Sequence, residues 1–261
     1  MTHRYTLTFV LLLCCFFSSA QLLDLEIGNI SNIEMNIKEF SADPDAEALV
    51  ISDEAFSDYD DDHRLITIRR IRIKILNQKG LDRGNIIIPF YSKDGFEIID
   101  KIEAITYNYN ENNSIIKTVL DKKSVFTEKR DAYYSLKKFA MPAVKPGCII
   151  EYKYESIMKH YGGLDEWVFQ SDIPVLRSSF KLRVIPGAAF AYIVQKSRTF
   201  NMTVTPLPDI GGVFFEMKNV PALRFEPYMD AKRDYLQKVT FQLSGITNRL
   251  GSKQEDRKSV V

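Results

Sequence analysis

The sequence predicts an all-β protein of mainly antiparallel, sandwich-like sheets with one short N-terminal helix. Three observations carry this expectation. Apolar and polar residues alternate at period two through most of the chain. Turn-forming clusters recur at short intervals. A helical pattern is found in only one segment.

That segment is 29–40, NISNIEMNIKEF. Ser31 and Glu34 make an S-x-x-E capping box, in which each side chain satisfies a free backbone N–H. Ile30, Ile33, Ile37 and Phe40 recur at three- and four-residue spacing as one apolar stripe. Asp43-Pro44-Asp45 then stops the helix. Segments 46–57 and 64–76 follow, separated by Asp58-Tyr59-Asp60-Asp61-Asp62-His63, and read as a long hairpin. Within RLITIRRIRIKIL the isoleucine parity switches: Ile66 and Ile68 share one face, Ile71, Ile73 and Ile75 the other. One extra residue would restore a common face, so a β-bulge is predicted near Arg69–Arg70.

Further strands are predicted at 85–90, 98–109, 115–120, 133–140, 148–158, 166–170, 178–185, 190–196, 201–205, 213–219 and 237–243. Asn110–Asn113, Lys145-Pro146-Gly147, Tyr161-Gly162-Gly163, Pro186-Gly187 and Gly211-Gly212 punctuate them as turns. Residues 244–261 lose the alternation and become polar, which predicts a tail or truncated linker.

The first twenty residues have a different character. Arg4 supplies a basic start, Leu7 to Phe17 is almost unbroken apolar sequence, and Ser18 and Ala20 put small residues at −3 and −1. This is the anatomy of a signal peptide cleaved after Ala20, and it predicts export to the periplasm or beyond. The run is too short for a bilayer, which needs about 20 apolar residues. The chain thus divides into a leader (1–20), a helical N-terminal segment (21–42), a β domain (43–243) and a polar tail (244–261).

Cleavage removes one of the 35 basic residues, Arg4, and none of the 34 acidic ones. The balanced remainder has no electrostatic footprint for nucleic acid and no basic run for anionic lipid. No second apolar stretch is long enough to span a membrane. Of three cysteines only Cys148 remains, so no internal disulfide framework can form. Stability has to come from an apolar core, which a chain with 45% hydrophobic residues can build.

Cys148 is the first candidate for chemistry. On a strand it shares a face with Ile150, Tyr152 and Tyr154, whereas Glu151, Lys153 and Glu155 point the other way. A thiol in apolar surroundings has a raised pKa and is a poor nucleophile. The two remaining histidines, His63 and His160, lie in or beside turns away from it, so no Cys–His pair is expected. Asp58, Asp60 and Asp62 match positions 1, 3 and 5 of an EF-hand loop. His63 then stands where glycine is needed and Arg69 where a bidentate glutamate is needed. The run reads instead as a solvated hairpin tip facing Arg64, Arg69, Arg70 and Arg72. No zinc-ligand cluster, phosphate loop or G-x-S-x-G elbow occurs, so no catalytic, metal or cofactor site is assigned. Tyr107, Tyr109, Tyr133, Tyr134, Tyr161 and Trp167 are candidates for an aromatic platform, although core packing is the simpler use of such rings. Trp167 in particular is expected to fill core.

LDKKSVFTEKRDAYYSLKKFAMPAVKPGCIIEYKYE, DEWVFQSDIPVLRSSFKL and NVPALRFEPYMDAKRDYLQKVTFQLS together resemble the domain of unknown function 3857. The ordered pairs Met141-Pro142, Pro146-Gly147, Glu151-Tyr152, Phe169-Gln170 and Ile173-Pro174, with Trp167 and Glu226-Pro227-Tyr228, carry the resemblance from about Asp43 to about Leu243. It implies a mostly β, non-catalytic module of exported bacterial proteins, set before a transglutaminase-like core. The Cys–His–Asp set of that core has no counterpart in this chain. The expectation is therefore an exported accessory or binding module for a transglutaminase-like domain, a protein or peptide, or a glycan. The alternative is an N-terminal fragment of a truncated transglutaminase- or protease-like enzyme.

Overall fold

The structure, a computed structural model, describes residues 25–160, 164, 166–184, 187–224, 229, 231–247 and 253–255. The predicted all-β class is what it shows: strands in three sheets, mainly antiparallel, with few short helices. The expected hairpin is β1 (Ala48–Tyr59) with β2 (Leu65–Ile75). Then come β3 (Asn85–Tyr91), β4 (Glu97–Tyr109), β5 (Ile115–Val119), β6 (Phe126–Lys129), β7 (Tyr134–Ala140) and β8 (Ile149–Met158). The chain continues through β9 (Trp167–Val168), β10 (Val175–Arg183), β11 (Ala188–Gln195), β12 (Met202–Leu207), β13 (Gly212–Val220), β14 (Lys238–Thr247) and β15 (Lys253–Glu255).

Eight strands form the main sheet in the order β12-β13-β10-β1-β2-β8-β4-β5. The β1–β10 pairing is parallel, and the sheet's other pairings are antiparallel. Two smaller sheets accompany it: β3-β7-β6, and β11-β14-β15 with β9 also paired to β14. One face of the main sheet carries Ala48, Val50, Ala55, Ile71, Ile73, Ile75, Ile150, Phe180 and Phe215 into a large core with Ile86, Ile88 and Phe139 of the β3-β7-β6 sheet. The opposite face has a smaller core of Met35, Ile51, Ile105, Tyr107 and Ile149, packed with Ile27, Ile30 and Ile37 of the N-terminal segment.

Several expectations need correction. The helix predicted over 29–40 is a single turn, α1 (Asn32–Met35). Its capping box forms as read, with the Ser31 and Glu34 side chains each meeting the other's backbone N–H. Ile30 and Ile37 pack on the smaller core from outside that turn, while Ile33 within it is exposed; an isolated short helix is weak, and side chains of the sheet take the carbonyls of Gly28, Asn29 and Met35. The bulge lies elsewhere. Strand β2 runs against β8 without a shift, and the extra residue is Ile51 of β1, between the pairs Val50–Ile73 and Ser52–Arg72. Leu65, Thr67, Arg69 and Ile71 therefore continue one face, and Ile66 and Ile68 stay on the other. The strand predicted at 166–170 shrinks to two residues, and β6 adds to the predicted strands. The region predicted as a polar tail holds the end of β14 and all of β15, because cross-strand pairing needs backbone groups more than alternation.

Candidate functional site

On the large-core face, the two small sheets leave a gap over β2 and β8. It forms a cleft of ≈ 430 Å³. Its floor is Leu65, Thr67, Arg69 and Ile71 of β2 with Tyr152, Tyr154, Ser156 and Met158 of β8. Glu97 and Ile99 of β4 and Ile87, Ile88 and Pro89 of β3 border it over the β8–β4 side; Leu164, Glu166 and Trp167 border it over the β1–β10 side.

At the centre stands Arg69. Its Nε and Nη2 donate to the two carboxylate oxygens of Asp53 at 2.9 and 2.7 Å, a fork-to-fork pair. The guanidinium also lies over the Trp167 ring, 4.7 Å from its centroid. Trp167 in turn stacks on Phe180 at 5.2 Å, and its indole N–H donates to Ser178 Oγ at 3.1 Å. Burial works against the charge of Arg69, but Asp53 and the neighbouring tyrosine oxygens hold it protonated well above the ordinary range. Burial likewise pushes the Tyr152 and Tyr154 hydroxyls up, against the pull of Arg69. Both stay neutral hydrogen-bonding groups at physiological pH.

The remaining polar groups are also engaged. Ser156 Oγ donates to Glu97 Oε1 at 2.7 Å, and the Tyr91 N–H donates to Glu97 Oε2 at 2.8 Å. Ser57 and Thr67 share a hydroxyl–hydroxyl bond of 2.7 Å. Burial opposes the Glu166 carboxylate, yet Arg233 at 2.9 Å and Lys238 at 3.0 Å hold it below the usual carboxylate range. A serine becomes a nucleophile when a base takes its proton. Among the described residues, the Ser156 hydroxyl meets only the Glu97 carboxylate, and His160 rests against Phe96, ring centroids 5.8 Å apart.

Of the candidates singled out in the sequence, Trp167 borders the cleft, while Cys148, His63 and the acidic run lie elsewhere. Cys148 is 1% exposed in the large core, and burial raises its thiol pKa. His63 sits in the β1–β2 turn at φ 61°. Asp60 and Asp62 pair with Arg64, while Asp58 pairs with Arg183 rather than with the β2 arginines. Arg69, Arg70 and Arg72 are bound to Asp53, Glu54 and Glu151, so the expected contact with the acidic turn is corrected. Among the described residues, no group of three His, Cys, Asp or Glu side chains could hold a metal ion.

The aromatic candidates divide. Tyr133 and Tyr134 are exposed and cluster around Tyr91. Trp167 is buried, and Tyr107 is buried with its hydroxyl on Glu151 at 2.5 Å. Tyr109 is half-buried against the N-terminal segment, and Tyr161 lies outside the described residues. Sequence reasoning missed Arg69, Asp53, Glu97 and Ser156. The available signal was an arginine between Thr67 and Ile71 on an otherwise inward-facing parity.

The sequence profile of a family described as "Domain of Unknown Function with solved-structure structure (DUF3857)" matches residues 61–224. The chain belongs to this family. Most of the cleft floor and both its borders fall within the matched residues. No curated protein matches the chain. Among solved structures, the DUF3857 chain resembles a protein from Parabacteroides distasonis ATCC 8503 named "putative protease", with a TM-score of 0.61 and 18% identity. The match covers 75% of this chain and 40% of that one, and at this identity it is a likeness of fold.

Proposed function

We propose that this DUF3857 chain is an exported, non-catalytic accessory module that holds a partner in the cleft between its sheets. The observation that supports this reading is the composition of the cleft. Arg69 and Glu166 are paired with opposite charges, Glu97 accepts from Ser156 Oγ and the Tyr91 N–H, the tyrosines are held neutral, and among the described residues no histidine lines the cleft. The leader-like residues 1–20 support a site of action outside the cytoplasm.

A second reading is that the chain forms the front part of a transglutaminase- or protease-like enzyme. The fold shared with 40% of a protein named as a protease favours it. The test is to incubate purified residues 21–261 with fluorescent casein and a primary-amine donor, beside a Cys148→Ala control. The expected result is no cleavage and no amine incorporation in either sample. Product that depends on Cys148 would overturn the proposal.

A further inference from the structure

We infer that the cleft takes a short, extended, uncharged segment of a partner polypeptide, added as a strand to the free edge of β3. This rests on the accessory-module reading and names its ligand class.

The edge is defined by hydrogen-bond parity. In an antiparallel pair, alternate residues direct their backbone groups toward the neighbouring strand and the rest direct them away. Met141 N–H donates to the Gly84 carbonyl, and Ser92 N–H donates to the Tyr133 carbonyl, so the even-numbered residues of β3 face β7. The odd-numbered ones face outward, as Tyr91 N–H on Glu97 shows. The Asn85 N–H is taken by Asp82, and Pro89 has none to give. Among the described residues, this leaves the Ile87 N–H and the carbonyls of Ile87 and Pro89 without a backbone partner. Ile87 and Pro89 line the cleft, and the Ile87 side chain is exposed.

A strand laid beside Ile87 would exchange two hydrogen bonds with it and give a third to the Pro89 carbonyl. Main-chain bonding of this kind binds peptides at sheet edges, with pockets for alternate side chains setting preference. The lining is mixed: Ile99, Met158 and Leu164 offer apolar contacts, and Tyr152 and Tyr154 add neutral hydroxyls. Arg69 and Asp53 cancel, and the carboxylates of Glu166 and Glu97 together balance Arg233 and Lys238, so these groups carry no net charge for a charged side chain to answer. Pro89 also interrupts the donor row, so a long strand of a second copy could not pair along the edge.

The probe is a bead-bound pool of random decapeptides lacking Asp, Glu, Lys and Arg, from which binders are resynthesised. Trp167 is the chain's sole tryptophan, so its fluorescence reports occupancy. The expected result is saturable binding with a Trp167 signal and slowed exchange of the Ile87 amide. Methylating alternate backbone nitrogens of a binder should weaken it at least about tenfold in one register and not in the other. Ile87→Pro should give a similar loss, and the methylated probes test the same hydrogen bonds on the wild-type chain if that variant fails to fold. No saturable binding up to about 1 mM, an unprotected Ile87 amide, or indifference to both methylation registers would overturn the inference. A Trp167 signal from chitohexaose, with no peptide binding, would overturn it while leaving the accessory-module reading in place. Cleavage of the peptide would overturn that reading instead.

Discussion

Arg69 and Arg72 stand three residues apart on one strand, and the main sheet puts them to opposite uses. Arg69 faces the large core, pairs with Asp53 and leaves open space above it. Arg72 faces the other way and is consumed in closure. Its Nη2 donates to the Asn29 carbonyl and to Glu151, both at 2.6 Å, and its Nη1 meets Glu34. Arg70 on Glu26, Lys117 on Gly28 and Lys74 on Met35 repeat the pattern, each donating to a main-chain carbonyl. Four cations thus fasten the segment 25–37 over one face. On the other face the polar groups are paired laterally, with neighbours in or beside the cleft lining. A buried charge is tolerated in either case because it is paired. Whether it seals a surface or floors a cleft depends on what lies above it.

The largest expected effect breaks the sealed side. Arg72→Ala takes the closest cation from fully buried Glu151, leaving Arg70 at 3.9 Å, and should cost about 3–5 kcal/mol. Urea unfolding checks the loss, and limited proteolysis should show early cutting within 25–37. Trp167→Ala should cost a similar amount, about 3–5 kcal/mol, because a buried ring and the Arg69 stack disappear together. A variant that melts like wild type would place the ring outside the core and dissolve the comparison.

Asp53→Asn sharpens it. It keeps the shape of the cleft but removes the carboxylate from Arg69, at a cost of about 1–3 kcal/mol in urea unfolding. A smaller effect should appear with pH. Burial, followed by the neighbouring Asp58, pushes the Tyr59 hydroxyl from 10.0 up to about 12. A phenol held neutral in the fold contributes stability that is complete below pH 10 and is lost as pH rises toward 12. Tyrosinate absorbance followed alongside unfolding should show this ionisation lagging in the native state; simultaneous ionisation of all tyrosines near pH 10 would contradict it. The smallest effect belongs to the exposed hairpin tip, where Arg64→Ala should leave the urea midpoint where wild type has it.

Much of the fold was legible along the chain. The β1–β2 hairpin, the capping box at Ser31 and Glu34, and the inward direction of Cys148 all rest on residues within a few positions of each other. The family was legible too, from Trp167 and its proline and glycine neighbours. The cleft was not. Arg69 meets Asp53 across a hairpin and Trp167 from far along the sequence, and Ser156 finds Glu97 through the β4–β8 pairing.

The sequence by itself determined where the chain turns and which face the Cys148 thiol takes, because these follow from backbone geometry at period two. Only the tertiary structure decided which side of the main sheet would be strapped shut and which would keep a gap. Unbroken parity through β2 puts Arg69 and Arg72 on opposite faces, where the bulge expected at Arg69–Arg70 would have put them on one. It cannot say which face the N-terminal segment will cover, since that depends on contacts such as Arg72 with Glu34 and Gly28 with Glu151, made between residues far apart in the chain.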